Sequence, residues 1–372
     1  MSQHSPAAVL THDACVYCRS SLGENDLLER FPIGRRLAFD PRDGRLWVVC
    51  GECGRWSLSP IEGRSEVVED CDRHHRGSSP HLASENISLA RSRGSVDLIR
   101  VGRAGALELA AWRYGRMLGP KHWTRVEALL GDASDERLDR VRGTLSATPY
   151  LAAGLALGAF SATALAQASA LGLVLLAFFR MFSAGSLEHE KQLARLKRRS
   201  GVVLGEIVAS DREPFLLYAD QAWGSRLVAG STEDRWYMSV PSRGRGQRGA
   251  PVSLEVEGSE ALRALRLAMS ETNRRRASAT TLRAATAAVE TAGGPEAFIP
   301  FASTEVKRQG LRYAALGELP RTLRLSLEIA SDAAHERDAL TGTAGLLERE
   351  WREAAALARL GERAHEAWVA QS

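Results

Sequence analysis

The chain predicts a multidomain α+β fold, with a cysteine-bearing β-hairpin domain and helices first, a hydrophobic helical segment next, and a small antiparallel β-sheet plus a helical region last. Three observations predict it. Two close cysteine pairs bracket a hairpin signal near the N-terminus. A long run without a charged residue occupies the middle. The C-terminal half passes from short β-type runs to helical spacing. With 372 residues the chain has room for about two or three domains, and 44% hydrophobic with 25% charged content is that of a folded chain rather than a disordered one. A formal charge of +4 is only mildly basic and gives no reason of its own to invoke nucleic acid.

The first domain is expected over residues 1–120. Its cysteine pairs read Cys15-Val-Tyr-Cys18 and Cys50-Gly-Glu-Cys53. Two intervening residues let both thiolates of a tight turn face one ion, and two such turns complete the tetrahedral four-sulfur shell that Zn²⁺ prefers. Four thiolates leave no open coordination position, so the expected cofactor is structural Zn²⁺ rather than a catalytic metal. Between the pairs, the runs Arg35–Phe39 and Arg45–Val49 are joined by Asp40-Pro41-Arg42-Asp43-Gly44, an Asp-Gly hairpin signal. Turn, hairpin and second turn together resemble a zinc ribbon. The alternative for either pair is a thioredoxin-like redox motif, which needs a helix start in a βαβ setting that neither pair has. No apolar run preceded by basic residues lies within residues 1–30, which argues for reduced cysteines on the cytoplasmic side.

Ser59-Pro60-Ile61-Glu62 forms a capping box for a helix running to about Arg76, with Ile61, Val68 and Cys71 on its inner side. Cys71 with His74, His75 and His81 has the composition of a second metal cluster. The plainer expectation is a buried thiol followed by a basic helix end that suits the helix dipole. A strand at Val96–Val101 and a helix at Ala104–Leu118 complete the domain.

After a helical linker at 121–147, no charged residue occurs from Gly143 through Phe179. Residues 148–183 are therefore expected to be a transmembrane helix or helical hairpin. One continuous helix would be roughly 50 Å long, against a hydrocarbon core of about 30 Å. Either a single span tilts or protrudes, or two shorter helices turn near Gln167–Ser169. Arg125, Arg137, Arg140 and Arg142 precede the segment, and Arg180, Lys191, Arg195, Lys197, Arg198 and Arg199 follow it. The positive-inside rule places both flanks in the cytoplasm and favours the hairpin. The Ala-rich middle also fits a hairpin buried in a globular protein or oligomer. Gly154 and Gly158 have the small-xxx-small spacing of packed helices, which leaves a homo-oligomer open. Residues 184–200 read as a basic juxtamembrane helix, with Lys197-Arg198-Arg199 suited to anionic headgroups.

A small antiparallel β domain is expected over 201–257, from the runs Val202–Val208, Phe215–Tyr218, Arg226–Val228, Trp236–Val240 and Val252–Val256. The basic loop Ser242–Gly249 has no interleaved aromatics and no phosphate-loop Lys-Ser/Thr, so it reads as a surface loop. Residues 258–372 are expected to be helical, with helices at Glu260–Glu271 and Thr280–Ala292 and a stop at Gly293-Gly294-Pro295. After Pro320, two packed helices or one bent helix carry an apolar face of Leu323, Leu327, Leu340, Leu347, Trp351, Leu357, Leu360 and Trp368.

No Gly-x-Ser-x-Gly elbow, His-Glu-x-x-His, Walker loop or Rossmann fingerprint occurs, so no catalytic or cofactor-binding residue is assigned beyond the four metal-ligating cysteines. Phe31-Pro-Ile-Gly-Arg-Arg-Leu-Ala-Phe-Asp-Pro41 and Gly44-Arg-Leu-Trp-Val-Val-Cys-Gly-Glu-Cys-Gly-Arg-Trp56 resemble a group of uncharacterised bacterial zinc-ribbon proteins. The resemblance implies a zinc ribbon, an Ala/Gly-rich hydrophobic segment and a helical C-terminus, and it implies no activity. The expected function is a membrane-anchored, non-enzymatic zinc-ribbon adaptor with membrane lipid and protein partners. One alternative is a nucleic-acid-binding regulator using Arg35, Arg36, Arg42, Arg45 and Arg55. Another is a membrane-associated enzyme with a site in residues 200–320.

Overall fold

In the computed structural model, strand β1 (Arg36–Asp40) turns through the predicted Asp-Gly loop into β2 (Arg45–Val49). Asp40 makes that turn, since its Oδ1 accepts from the amides of Arg42 at 2.9 Å and Asp43 at 3.3 Å. Gly44 closes it in the left-handed region at φ 61°. The described residues are 13–59, 64–92, 96–115, 199–208, 213–232, 235–245, 251–274, 276–308, 315–341 and 344–370. Pro60, Ile61 and Glu62 of the expected capping box, the hydrophobic segment 148–183 and its flanks 121–147 and 184–198 lie outside them. Among the described residues, no helix is long and apolar enough to cross a membrane.

The fold is mixed α+β, with an N-terminal sheet and C-terminal helices. After β2 come β3 (Trp56–Leu58), α1 (Arg64–Arg76), β4 (Pro80–Ala83), β5 (Ile87–Arg91), β6 (Asp97–Val101) and α2 (Ala106–Tyr114). The six strands run in the order β3-β2-β1-β6-β5-β4, with β1 and β6 parallel and every other neighbour antiparallel. The expected hairpin is thus part of a larger sheet whose central pair is β1 and β6. β4 and β5 were not expected from the sequence, and β4 is a short, mostly exposed edge strand beginning at Pro80.

β1 and β2 are buried along almost their whole length, so both faces of the sheet are covered. Phe39 faces α1, where its ring meets His75 edge-on at 5.9 Å. The opposite register positions carry Trp47 and Trp56, whose rings lie 5.7 Å apart. Trp47 and Leu58 reach the C-terminal helices from that face. The Trp47 Nε1–H donates to Glu336 at 3.0 Å, and the Leu58 carbonyl accepts from Trp351 Nε1–H at 3.1 Å.

The second half begins with the two-stranded pair β7 (Val203–Ile207) and β8 (Phe215–Tyr218), followed by α3 (Ala219–Gly224). A separate three-stranded antiparallel sheet follows, from β9 (Arg226–Ala229), β10 (Trp236–Arg245) and β11 (Pro251–Val256). All five strands match expected runs, but α3 divides them into two sheets where one was expected. Helices α4 (Gly258–Thr272), α5 (Ala279–Thr291), α6 (Pro295–Arg308), α7 (Arg321–Thr341) and α8 (Ala344–Ala370) complete the chain. Gly293 and Gly294, at φ 91° and 106°, end α5 as expected. Pro295 does more than stop a helix, because it opens α6 at the position where its missing N–H costs nothing.

Residues of Met1–Leu130 and Val202–Ser372 belong to one compact unit. Its two hydrophobic cores differ in ownership. One is built wholly from the second half, from Leu204 to Ala330. The other holds the N-terminal sheet and borrows Leu282, Leu325, Leu347 and Trp351 from C-terminal helices.

Between these halves lies a buried polar network. Glu350 of α8 pairs with Arg263 at 3.1 Å, with Arg266, and with His335 at 3.4 Å. The Tyr17 hydroxyl donates to Asp332 Oδ1 at 3.2 Å and accepts from Arg266 at 3.3 Å, while the Tyr114 hydroxyl donates to Asp332 Oδ2 at 2.8 Å. Arg113 pairs with Glu336 at 2.5 Å. Removing one partner of such a pair leaves a buried unpaired charge, at a cost of about 3–5 kcal/mol.

Burial and the neighbouring Arg266 hold His335 below the ordinary imidazole value. Burial opposes ionisation of Glu350, yet Arg266, His335 and Arg263 together hold its carboxyl at about 2. Both values are depressed by folding, so both groups contribute stability that is complete above their unfolded pKa and lost as pH falls. The loss begins below about pH 6.5 through His335 and continues below about pH 4.3 through Glu350. Thermal unfolding followed from pH 7.5 to 5 should show a falling midpoint, and His335→Gln should flatten that slope. A midpoint equally pH-dependent in the variant would remove His335 from the account.

Candidate metal centre

The two cysteine pairs fold into the same turn. In the first, the Cys15 amide donates to the Ser20 carbonyl at 2.9 Å and the Arg19 amide to the Cys15 carbonyl at 2.9 Å. In the second, the Cys50 amide donates to the Arg55 carbonyl at 3.0 Å and the Gly54 amide to the Cys50 carbonyl at 2.8 Å. The residue after each second cysteine is left-handed, at φ 66° for Arg19 and 65° for Gly54. The first turn is anchored to β1 through Leu22, whose carbonyl accepts from the Arg35 amide at 3.2 Å. The second turn is itself the β2–β3 connection.

Gly54 is required twice over. Its backbone is left-handed, and a Cβ there would land on the guanidinium of Arg276. Arg19 holds the same backbone conformation without being glycine. Its guanidinium donates to the carbonyls of Val16 and of Leu204 in β7, ties that hold the turn in place.

The turns bring Cys15, Cys18, Cys50 and Cys53 together, with all four sulfurs within 4.8 Å of one another. Cys15 Sγ lies 3.6 Å from Cys53 Sγ, and Cys18 Sγ lies 3.6 Å from Cys50 Sγ. Four thiolates about 2.3 Å from a tetrahedral Zn²⁺ would stand about 3.8 Å apart, so the cluster fits an ion of that kind. The cluster could therefore bind a metal ion. Cys15 and Cys50 are buried, while Cys18 and Cys53 form the partly exposed edge. Crowding splits their ionisation. Hydrogen bonds from Cys15 hold Cys18 and Cys50 below the ordinary thiol value, and Cys18 and Cys50 push Cys15 up. All five cysteines of the chain are free thiols, and neither pair starts a helix.

The second cluster weighed from sequence does not assemble. Among the described residues, the four cysteines are the one group placed to hold a metal. Cys71 is buried in α1, where burial and the neighbouring Asp70 push its thiol up to about 12. His75 packs on Phe39 and meets Ser88 at 3.2 Å, while His81 is exposed on β4. Nor do the hairpin arginines form one outward face. Arg36 pairs with Asp97 at 3.0 Å, Arg45 with Asp43 at 3.2 Å, and Arg55 turns inward to Glu328.

The surroundings of the turns were not read from the sequence. Arg55 Nη2 donates to the Ser270 carbonyl at 2.8 Å, and Arg276 donates to the Cys53 carbonyl at 3.1 Å and the Arg113 carbonyl at 2.7 Å. Beside them, a crevice of about 20 Å³ is lined by Arg55, Arg113, Asn273, Arg276 and Glu328. That is room for about one water. A larger open groove of about 830 Å³ lies elsewhere, between the β9–β10 turn, the starts of α4 and α6, and α7. Arg337 and Glu296 pair across it. A sequence signal for the network existed: Arg263 and Arg266 interrupt the otherwise apolar face of α4, and Glu328, Asp332 and Glu336 recur every fourth residue in α7. No protein-family model, curated protein or solved structure matches the chain.

Cys50→Ser should remove bound metal, measured by elemental analysis of the purified protein, and should lower the unfolding midpoint. Cys71→Ser should leave the metal content unchanged. Gly54→Ala, strained in both backbone and contact, should cost more than about 1 kcal/mol in denaturant unfolding. A neutral Gly54→Ala would show that Arg276 can move aside freely.

Proposed function

We propose that the protein is a membrane-anchored, non-enzymatic adaptor whose cytoplasmic folded unit is held by structural Zn²⁺ in a zinc-ribbon-like site. The observation that carries this reading is the path of the chain. Residues before Leu130 and after Val202 belong to one compact unit, and the long uncharged run lies between them. An apolar insertion whose two ends return to one folded unit must enter and leave the bilayer on the same side. That supports the hairpin over a single span and agrees with basic flanks on both ends. Four thiolates favour a soft or borderline ion, with Zn²⁺ the common choice in a reducing compartment. Protein partners, and copies of the chain itself, would meet the unit at the bilayer surface. The nucleic-acid alternative is left with Arg35, Arg42 and Arg45, since Arg36 and Arg55 are engaged by buried carboxylates.

The test is a carbonate wash of membranes holding the full chain, beside a variant lacking residues 148–182. The anchor predicts that the full chain stays in the pellet and the deletion is released. Cysteine-labelling sites introduced at 120 and 200 should both react from the cytoplasmic side. Release of the full chain would end the membrane reading, and labelling from opposite sides would end the hairpin.

A further inference from the structure

The cysteine turns do more than present sulfurs, because the side chains they carry hold the second half of the protein. Tyr17, between the ligands of the first turn, bonds Asp332 of α7 and Arg266 of α4. Arg19, which follows that turn, reaches the Leu204 carbonyl of β7. Arg55, which follows the second turn, pairs with Glu328 of α7 and donates to the Ser270 and Asn273 carbonyls at 2.8 and 3.3 Å. The Cys53 carbonyl accepts from Arg276. Each turn thus ends in contacts across the seam between the halves.

Arg276 has an unusual environment. Its guanidinium donates to two backbone carbonyls, and among the described residues it has no carboxylate partner. It lies directly on the second cysteine turn, on the Cys53 carbonyl and against Gly54. A divalent ion in a four-thiolate shell carries a net charge of about −2, which is the counter-charge a partly buried guanidinium needs.

We propose that the four-cysteine centre is a metal-dependent clasp, in which the bound ion fixes the two turns and balances Arg276, so that losing the ion opens the seam onto α4 and α7 while the C-terminal core stays folded. This rests on the reading that the site holds a metal. The asymmetry of the two cores makes the opening local. The core from Leu204 to Ala330 takes no residue from the N-terminal half, so it keeps its apolar burial when the turns relax. The seam itself is polar, and its charged groups regain water once separated. Coupling of this kind is reciprocal, so a residue that steadies the seam must also strengthen metal binding.

Hydrogen exchange of the full chain in detergent micelles tests the clasp, with the Zn²⁺-loaded protein compared to protein stripped by a chelator under reducing conditions. Stripping should raise exchange over the turns at 13–22 and 50–56 and the α4 end at 270–274, and leave 226–245, 261–269 and 295–306 protected, and added Zn²⁺ should restore the seam. Unchanged exchange over 13–22, 50–56 and 270–274 on metal loss would overturn the clasp. Simultaneous loss of protection everywhere would overturn it too, making the ion a requirement of the whole fold. A protein that takes up neither Zn²⁺ nor Co²⁺ would instead sink the metal reading beneath it. Arg276→Met should weaken Zn²⁺ binding by about tenfold to a hundredfold in chelator competition, the range for groups that support metal ligands. Arg276→Lys should recover most of that affinity by keeping the charge. Equal affinities for Arg276→Met and the parent would show that Arg276 does not balance the site.

Discussion

Four sulfurs within 4.8 Å of one another cannot all carry charge unless a cation stands between them. That constraint governs more than the cysteines. The turns that hold the sulfurs also hold Tyr17, Arg19 and Arg55, and each of these ends on the other half of the protein. Electrostatic balance at the sulfurs and at the seam is therefore one problem rather than two. Gly54 marks where they touch, with Cys53 on one side and the Arg276 guanidinium against its Cα.

The seam is polar where an ordinary domain interface of this burial would be apolar. Glu350, Glu328 and Asp332 are almost wholly buried, and each meets a guanidinium, a tyrosine hydroxyl or both. Such pairs add little net stability over well-packed apolar side chains, because taking the charges out of water offsets most of their attraction. What they supply is registration. An apolar face tolerates sliding, whereas Arg266 has to find both Glu350 and the Tyr17 hydroxyl. Trp47 and Trp351 repeat the pattern, each bringing apolar bulk to the core while its Nε1–H points to one acceptor.

Local chemistry was legible in the sequence and long-range pairing was not. The cysteine turns, the Asp40–Gly44 hairpin, every strand from Val203 to Val256 and the break before Pro295 follow from residue type and spacing within a few positions. The strand β4 was not, since Pro80-His-Leu-Ala83 lacks alternation and sits at an edge. The β1–β6 pairing also escaped, because nothing near Arg36 names Asp97 as its neighbour. Charge patterns misled in a consistent direction. Arg36 and Arg55 read as solvent-facing because arginine usually is, and both are turned inward by carboxylates from distant segments. The apolar spacing of α7 and α8 found Leu327, Leu347 and Trp351 in the core, while Leu340 and Leu360 on the same pattern remain exposed.

Sequence separation also orders what each contact costs to form. The sulfur pairs join residues 32 and 38 positions apart, whereas Tyr17 and Asp332 are 315 apart. In an ideal flexible chain, closing the longer loop costs about 2 kcal/mol more than closing the shorter one. A single weak hydrogen bond such as Tyr17–Asp332, at 3.2 Å, does not supply that on its own. The sulfur site is the cheaper closure, and a metal bound there adds its own free energy to it. Once the turns are fixed, Tyr17, Arg19 and Arg55 are presented together, and the seam forms as several contacts for one loop-closure cost.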